Sequence, residues 1–129
     1  MKLANYLFFR SGCEQALEFY AQCGLGRVVA IVRHGDYGPP HDESMRGKVL
    51  HSEFAGPGVH FFASDNHDAE PMRGSAHFLV LESRTELDEL FARMSVGANI
   101  TTSVGAQPWG YYGKLTDRFG VQWMFNVAA

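Results

Sequence analysis

Tyr6-Leu7-Phe8-Phe9, then Ser11-Gly12-Cys13-Glu14, then Ala16, Phe19, Tyr20 and Cys23 spell an alternating strand, a helix start and an amphipathic helix. His77-Phe78-Leu79-Val80, then Ser83-Arg84-Thr85-Glu86, then Leu87, Leu90, Phe91 and Met94 spell it again about 71 positions later, the spacing of Tyr6 and His77. Gly58-Val59-His60-Phe61-Phe62 likewise returns as Gly120-Val121-Gln122-Trp123-Met124, about 62 positions on. A longer loop in the first half absorbs the difference. A repeated unit of this size predicts two like modules that close one core. In 129 residues they make one domain, with module one over about 1–66 and module two over about 74–129. The interface of two such modules is a natural place for a ligand cavity.

Working outward, each module reads as βαβββ. The strand Leu3–Phe9 leads to Ser11 and Glu14, an S-x-x-E capping box for a helix that runs to about Cys23 and ends at Gly24. Arg27–Arg33 is β-branched and reads as a strand. Gly35–Arg46 is a Gly-, Pro- and charge-rich loop. Lys48–Phe54 and Val59–Ser64 are strands joined by the turn Ala55-Gly56-Pro57-Gly58. A polar linker follows, in which Asp65, His67, Asp68 and Glu70 read as solvated side chains. Then come the strand Ser75–Glu82 and a second capping box from Ser83 and Glu86. Leu87, Leu90, Phe91 and Met94 fall at helical spacing, and Gly97 stops that helix. Asn99–Val104, Tyr111–Thr116 and Val121–Val127 are the last strands.

Composition narrows the function classes. Hydrophobic content of 46% and charged content of 19% suit a folded globular protein. With a net charge of −3 there is no basic stripe, so nucleic acid is not an expected partner. Apolar runs of four to six residues are too short to span a bilayer, and no signal peptide is read before the first strand. A cytoplasmic protein is expected. The two cysteines, Cys13 and Cys23, are separated by about 15 Å of helix and cannot bridge. Cys13 lies in the first helical turn, where a dipole can activate a thiol, yet it reads more simply as a small residue at a helix start.

The stretches Ala16-Leu17-Glu18-Phe19-Tyr20, His51-Ser52-Glu53-Phe54, Trp109-Gly110 and Asp117-Arg118-Phe119-Gly120-Val121-Gln122-Trp123 span almost the whole chain. With the repeat, they resemble the vicinal-oxygen-chelate superfamily of glyoxalases, bleomycin-resistance proteins and extradiol dioxygenases, in its PhnB-like branch. The resemblance implies an α+β fold in which tandem βαβββ modules form a half-open mixed β-barrel with helices outside. It also implies a homodimer. Some members of this branch carry a ubiquinone methyltransferase label. Nothing in the residues supports that activity, because Gly24-Leu25-Gly26 follows a helix, whereas a nucleotide loop follows a strand and opens a helix.

In metal-using members of the superfamily, His or Glu side chains from the first and last strand of each module meet inside the barrel. The resemblance puts Tyr6, Phe62, His77 and Met124 at those places, and only His77 is a good ligand. No metal and no other cofactor is therefore expected. The alternative is a divalent metal on a rearranged set of His51, Glu53, His60 and His77.

Alternation points Tyr6, Phe8, His77, Leu79, Leu81, Gln122, Met124 and Asn126 inward, and Leu7, Phe9, Trp123 and Phe125 toward the helices. Trp109, Tyr111 and Tyr112, beside Gly110 and Gly113, make an aromatic wall at the mouth. The expected ligand-binding residues are thus Tyr6, Phe8, Phe62, His77, Leu79, Trp109, Tyr112 and Met124, and the ligand a small apolar or aromatic molecule. The enzymatic alternative is an isomerase, lyase or hydrolase with His77 as general acid or base and Tyr6 orienting it. A third reading is an interaction protein with a vestigial cavity.

Overall fold

A computed structural model describes all of Met1–Ala129. The chain divides into two compact units, Met1–Pro71 and Met72–Ala129. The first comprises β1 (Tyr6–Phe9), α1 (Cys13–Gln22), β2 (Arg27–Arg33), β3 (Val49–Gly56) and β4 (Val59–Asp65), with one 3-10 turn at Glu43–Met45. The second comprises β5 (His77–Val80), α2 (Arg84–Met94), β6 (Asn99–Gln107), β7 (Gly110–Thr116) and β8 (Gln122–Ala128). Their sheets run β1-β4-β3-β2 and β5-β8-β7-β6. In each, the first strand is parallel to the last and the other pairings are antiparallel. The α+β class and the tandem βαβββ order are as the repeat predicts.

Several bounds differ from the expected ones. β1 and β5 have four residues each, shorter than Leu3–Phe9 and Ser75–Glu82. Each is an edge strand with one partner, so its length is set by the ladder to β4 or β8. β6 runs on to Gln107, which places Trp109 in the tight turn to β7.

The helices cover one face of each sheet. Leu7, Phe9, Phe54, Phe61 and Ala63 are buried with Ala16, Leu17 and Tyr20 of α1. Tyr20 meets Phe54 and Phe61 edge-on at 6.5 and 6.1 Å. In the second unit, Leu115, Trp123 and Phe125 are buried with Leu87, Leu90, Phe91 and Met94 of α2. Phe91 meets Phe125 edge-on at 5.1 Å. Each such large side chain contributes about 1.5–3 kcal/mol by leaving water.

The two helix starts differ. At α2 the expected cap forms, with its return bond one residue early: Glu86 N–H donates to Ser83 Oγ, and the Glu86 carboxylate accepts from Glu82 N–H rather than from Ser83 N–H. At α1 the expected Ser11–Glu14 box does not form. Gly12 is the cap residue, at φ 88, and it makes no side-chain cap bond. Glu14 instead receives two bonds from the Arg33 guanidinium, which holds its carboxyl below the usual range. The helix N–H at Cys13 donates to Asp65 Oδ1, at the end of β4. Asp65 is buried, against the expectation of a solvated linker residue, and its other oxygen accepts from Val49 N–H.

α1 ends as its sequence predicts. Leu25 N–H reaches Tyr20 O and Gly24 N–H reaches Ala21 O, a Schellman closure with Gly24 at φ 92. Gly26 then passes against Gly56, the last residue of β3. A Cβ on Gly56 would lie 2.0 Å from Leu25 O, and one on Gly26 would lie 2.3 Å from Ala55 O. Two glycines are required there because the backbones touch.

Candidate functional site

The face of each sheet turned away from its helix carries the candidate residues. In the first sheet the pairs Tyr6–Phe62, Phe8–Ser64, Glu53–Phe62 and Ala55–His60 set that face. Tyr6 and Phe8 are 38% and 48% exposed, while Leu7 and Phe9 between them are buried on the helix side. The alternation expected of β1 is therefore observed. Tyr6 lies 5.1 Å from Phe8, 5.6 Å from His51 and 6.2 Å from Phe62, ring to ring. His51 stacks on Phe62 at 5.5 Å, and His60 meets the same ring edge-on at 5.0 Å. Two polar pairs sit within this aromatic floor. Tyr6 Oη is 2.9 Å from His51 Nδ1, and His60 Nε2 is 2.7 Å from a Glu53 carboxylate oxygen.

In the second sheet the corresponding face carries Phe78, Val80, Gln122, Met124, Asn126, Tyr112, Lys114 and Thr116. Trp109 meets Tyr112 edge-on at 5.5 Å, so these two members of the expected wall do come together, whereas Tyr111 between them turns to Asp88 and Arg84 of α2. His77 and Leu79 do not join them. His77 pairs with Trp123 and Leu79 with Phe125, both buried on the α2 side. The His77 ring lies 4.8 Å from the Trp123 indole. Burial lowers the His77 pKa, with Asp117 opposing the shift. The expectation that His77 and Leu79 face inward is thus corrected by one residue. The true counterpart of Tyr6 is Phe78, which pairs with Met124 as Tyr6 pairs with Phe62. A one-residue slip moves every side chain of a strand to the other face.

The donors do not fit a divalent metal. The places that the resemblance assigns to ligands are occupied by the pairs Tyr6–Phe62 and Phe78–Met124, a phenol, two phenyl rings and a thioether. The members of the rearranged set lie on differently facing surfaces of their own sheets. His51, Glu53 and His60 share one face, but His77 lies on the helix side of its own sheet. His60 is engaged by Glu53 and His51 by Tyr6. No group of three or more His, Cys, Asp or Glu side chains is placed to hold a metal ion.

Gly24-Leu25-Gly26 does not open a helix as a nucleotide loop does: Gly24 closes α1 and Gly26 lets β3 approach. Cys13 is not an activated thiol. It is fully buried, and burial, reinforced by the Asp65 carboxylate, pushes it up to about 12.

Three residues named in the sequence reading have roles that it did not assign. Asp65 ties α1 to β3, as described above. Asp117, also buried, accepts from Phe119 N–H, Val121 N–H and the Trp123 indole N–H, which fixes the turn before β8. Asn126 is 7% exposed and its Oδ1 has no hydrogen-bond partner. The Asp-x-x-Gly pattern at Asp117–Gly120 was the available signal for the second. The other two depend on contacts distant in sequence.

No helix is long and apolar enough to cross a membrane. The family model described as 3-demethylubiquinone-9 3-methyltransferase matches residues 1–125. Protein PA1353 from Pseudomonas aeruginosa has 30% identity with this chain, with 99% of this chain and 98% of that one covered, at a TM-score of 0.89. The PhnB protein from Bacillus cereus has 25% identity over 99% of this chain and 100% of that one, at a TM-score of 0.82. A glyoxalase/bleomycin resistance protein/dioxygenase domain from Frankia, at 14% identity over 100% of this chain and 98% of that one, shares the fold with a TM-score of 0.71. Sequence match and paired βαβββ sheets agree: the chain belongs to the 3-demethylubiquinone-9 3-methyltransferase family, with a PhnB protein among its relatives and a fold shared with glyoxalase/bleomycin resistance domains.

Proposed function

We propose that this protein binds a small apolar or aromatic molecule, without a metal, on the open face of its first sheet. One observation carries the reading. Tyr6 and Phe8 stand exposed on a sheet face whose neighbours, Phe62 and His51, are also rings. Contiguous exposed aromatic surface is uncommon unless something covers it. The Tyr6–His51 and Glu53–His60 pairs add polar tips that would orient a bound ring. The reading takes the chain to act as one domain in the cytoplasm and, as the resemblance implies, as a homodimer.

The test is titration with N-phenyl-1-naphthylamine, a neutral dye that brightens in apolar surroundings. Wild type should bind saturably. Phe8→Ala removes one exposed ring at little cost to folding and should weaken binding by about 1 kcal/mol, roughly fivefold. Absence of saturable binding, or unchanged affinity in Phe8→Ala, would overturn the reading. The position of His77 against Trp123 argues against the isomerase, lyase or hydrolase alternative in its His77 form.

A further inference from the structure

We propose that β5 is a proton-operated latch: when His77 takes up a proton, this strand comes off β8 while the rest of the second unit stays folded. The proposal goes beyond the first-sheet reading and uses none of its residues.

The two units show why β5 is the strand that can move. β1 and β5 hold the same place, each a four-residue edge strand parallel to the last strand of its sheet. β1 turns Leu7 and Phe9 to its helix, and each is 5% exposed. β5 turns His77 and Leu79 to its helix, and both are only half-buried. Its other two side chains, Phe78 and Val80, are 54% and 66% exposed. β5 therefore buries much less apolar surface than β1, and an edge segment held so lightly belongs to the parts of a fold that open locally. One of its two anchors is an imidazole, the side chain whose charge changes near neutral pH. β5 has no other titratable residue.

The surroundings of His77 favour its neutral form. Its ring lies 4.8 Å from the buried indole of Trp123 on β8. On the same side of the sheet α2 buries Leu87, Leu90, Phe91 and Met94, none of them charged. The charged group that acts on the imidazole is Asp117, in the turn before β8. Its carboxylate already accepts from Phe119 N–H, Val121 N–H and the Trp123 indole N–H. Burial outweighs Asp117, so the folded pKa lies below the ordinary 6.5. A detached β5 returns His77 to water, where it binds a proton more readily. Opening therefore takes up a proton and is favoured as pH falls below 6.5. The ties on either side of the strand are uncharged: Gln122 Nε2 donates to Ser75 O, and Leu81 N–H donates to Asn126 O.

The experiment is amide hydrogen exchange read by NMR on the full chain, from about pH 7.5 to about pH 5, with protection corrected for the intrinsic exchange rate. The Leu81 amide reports on β5, and the Val121 amide, held by Asp117, reports on the rest of the unit. Below pH 6.5 Leu81 protection should fall, approaching about tenfold per pH unit, the limit for one proton, while Val121 protection holds. His77→Phe keeps a ring against Trp123 that cannot titrate, and should make Leu81 protection level across the range. Leu81 protection independent of pH in wild type would overturn the proposal. So would an equal loss at Leu81 and Val121, which means that the whole unit unfolds, or a fall at Leu81 that survives His77→Phe. Should His77→Phe fail to fold, the wild-type comparison of the two amides still decides. Titration of the His77 ring signals decides as well, since a midpoint at or above 6.5 is equally fatal.

Discussion

α1 begins with its N–H held by Asp65, a carboxylate 52 residues away, while α2 begins with Glu86 N–H held by Ser83, three residues away. The same βαβββ order is thus anchored once by tertiary structure and once by local sequence. A local cap stabilises the helix whether or not the sheet is formed. The Asp65 cap exists only when β4 is in place, and because the same carboxylate also takes Val49 N–H, it couples helix and sheet. The difference teaches that like modules need not be stabilised alike, and that the first helix depends on its sheet in a way the second does not.

Substitution breaks the comparison most directly at Asp65. Asp65→Ala leaves two buried N–H groups without an acceptor and should cost about 3 kcal/mol or more in urea unfolding, at 1–3 kcal/mol per orphaned group. Ser83→Ala removes one exposed cap bond and should cost about 1 kcal/mol. Equal costs for the two would refute the distinction between the caps. The smallest effect expected is a pH dependence at His77. Burial depresses its folded pKa below the unfolded value of 6.5, so the unfolded chain binds a proton more readily. The neutral His77 contribution is complete above pH 6.5 and is lost as pH falls from there through the folded pKa. His77→Gln should flatten this acid limb of the stability profile. A limb unchanged in the variant would assign it to other groups.

The repeat, the element order and the helix-facing Leu7, Phe9, Trp123 and Phe125 were legible because alternation and helical spacing are local signals. The facing of His77 and Leu79 was not. A four-residue strand such as His-Phe-Leu-Val offers hydrophobic side chains to either face, and only the ladder to β8 decides. Counted from Phe9 and from its positional counterpart Leu81, the first unit uses one more residue before its helix, at Gly12. Matching the two helices therefore put the two strands out of step by one. The S-x-x-E pattern at Ser11 was present as a string and absent as a cap, because Arg33 claims Glu14 from 19 residues away. At the candidate site, the ring cluster Tyr6, Phe8 and Phe62 was visible in the alternation. The partnering of His51 by Tyr6 and of His60 by Glu53, and the solitary Oδ1 of Asn126, depend on contacts between strands that sequence does not contain.

The sealed thiol of Cys13 has a use beyond its place in the core. Its high pKa and full burial deny reagents both the thiolate and access while α1 lies on its sheet. A thiol-labelling rate at this position would therefore run as a clock for the lifting of α1 from β4, timing the same opening that releases the Asp65 bond.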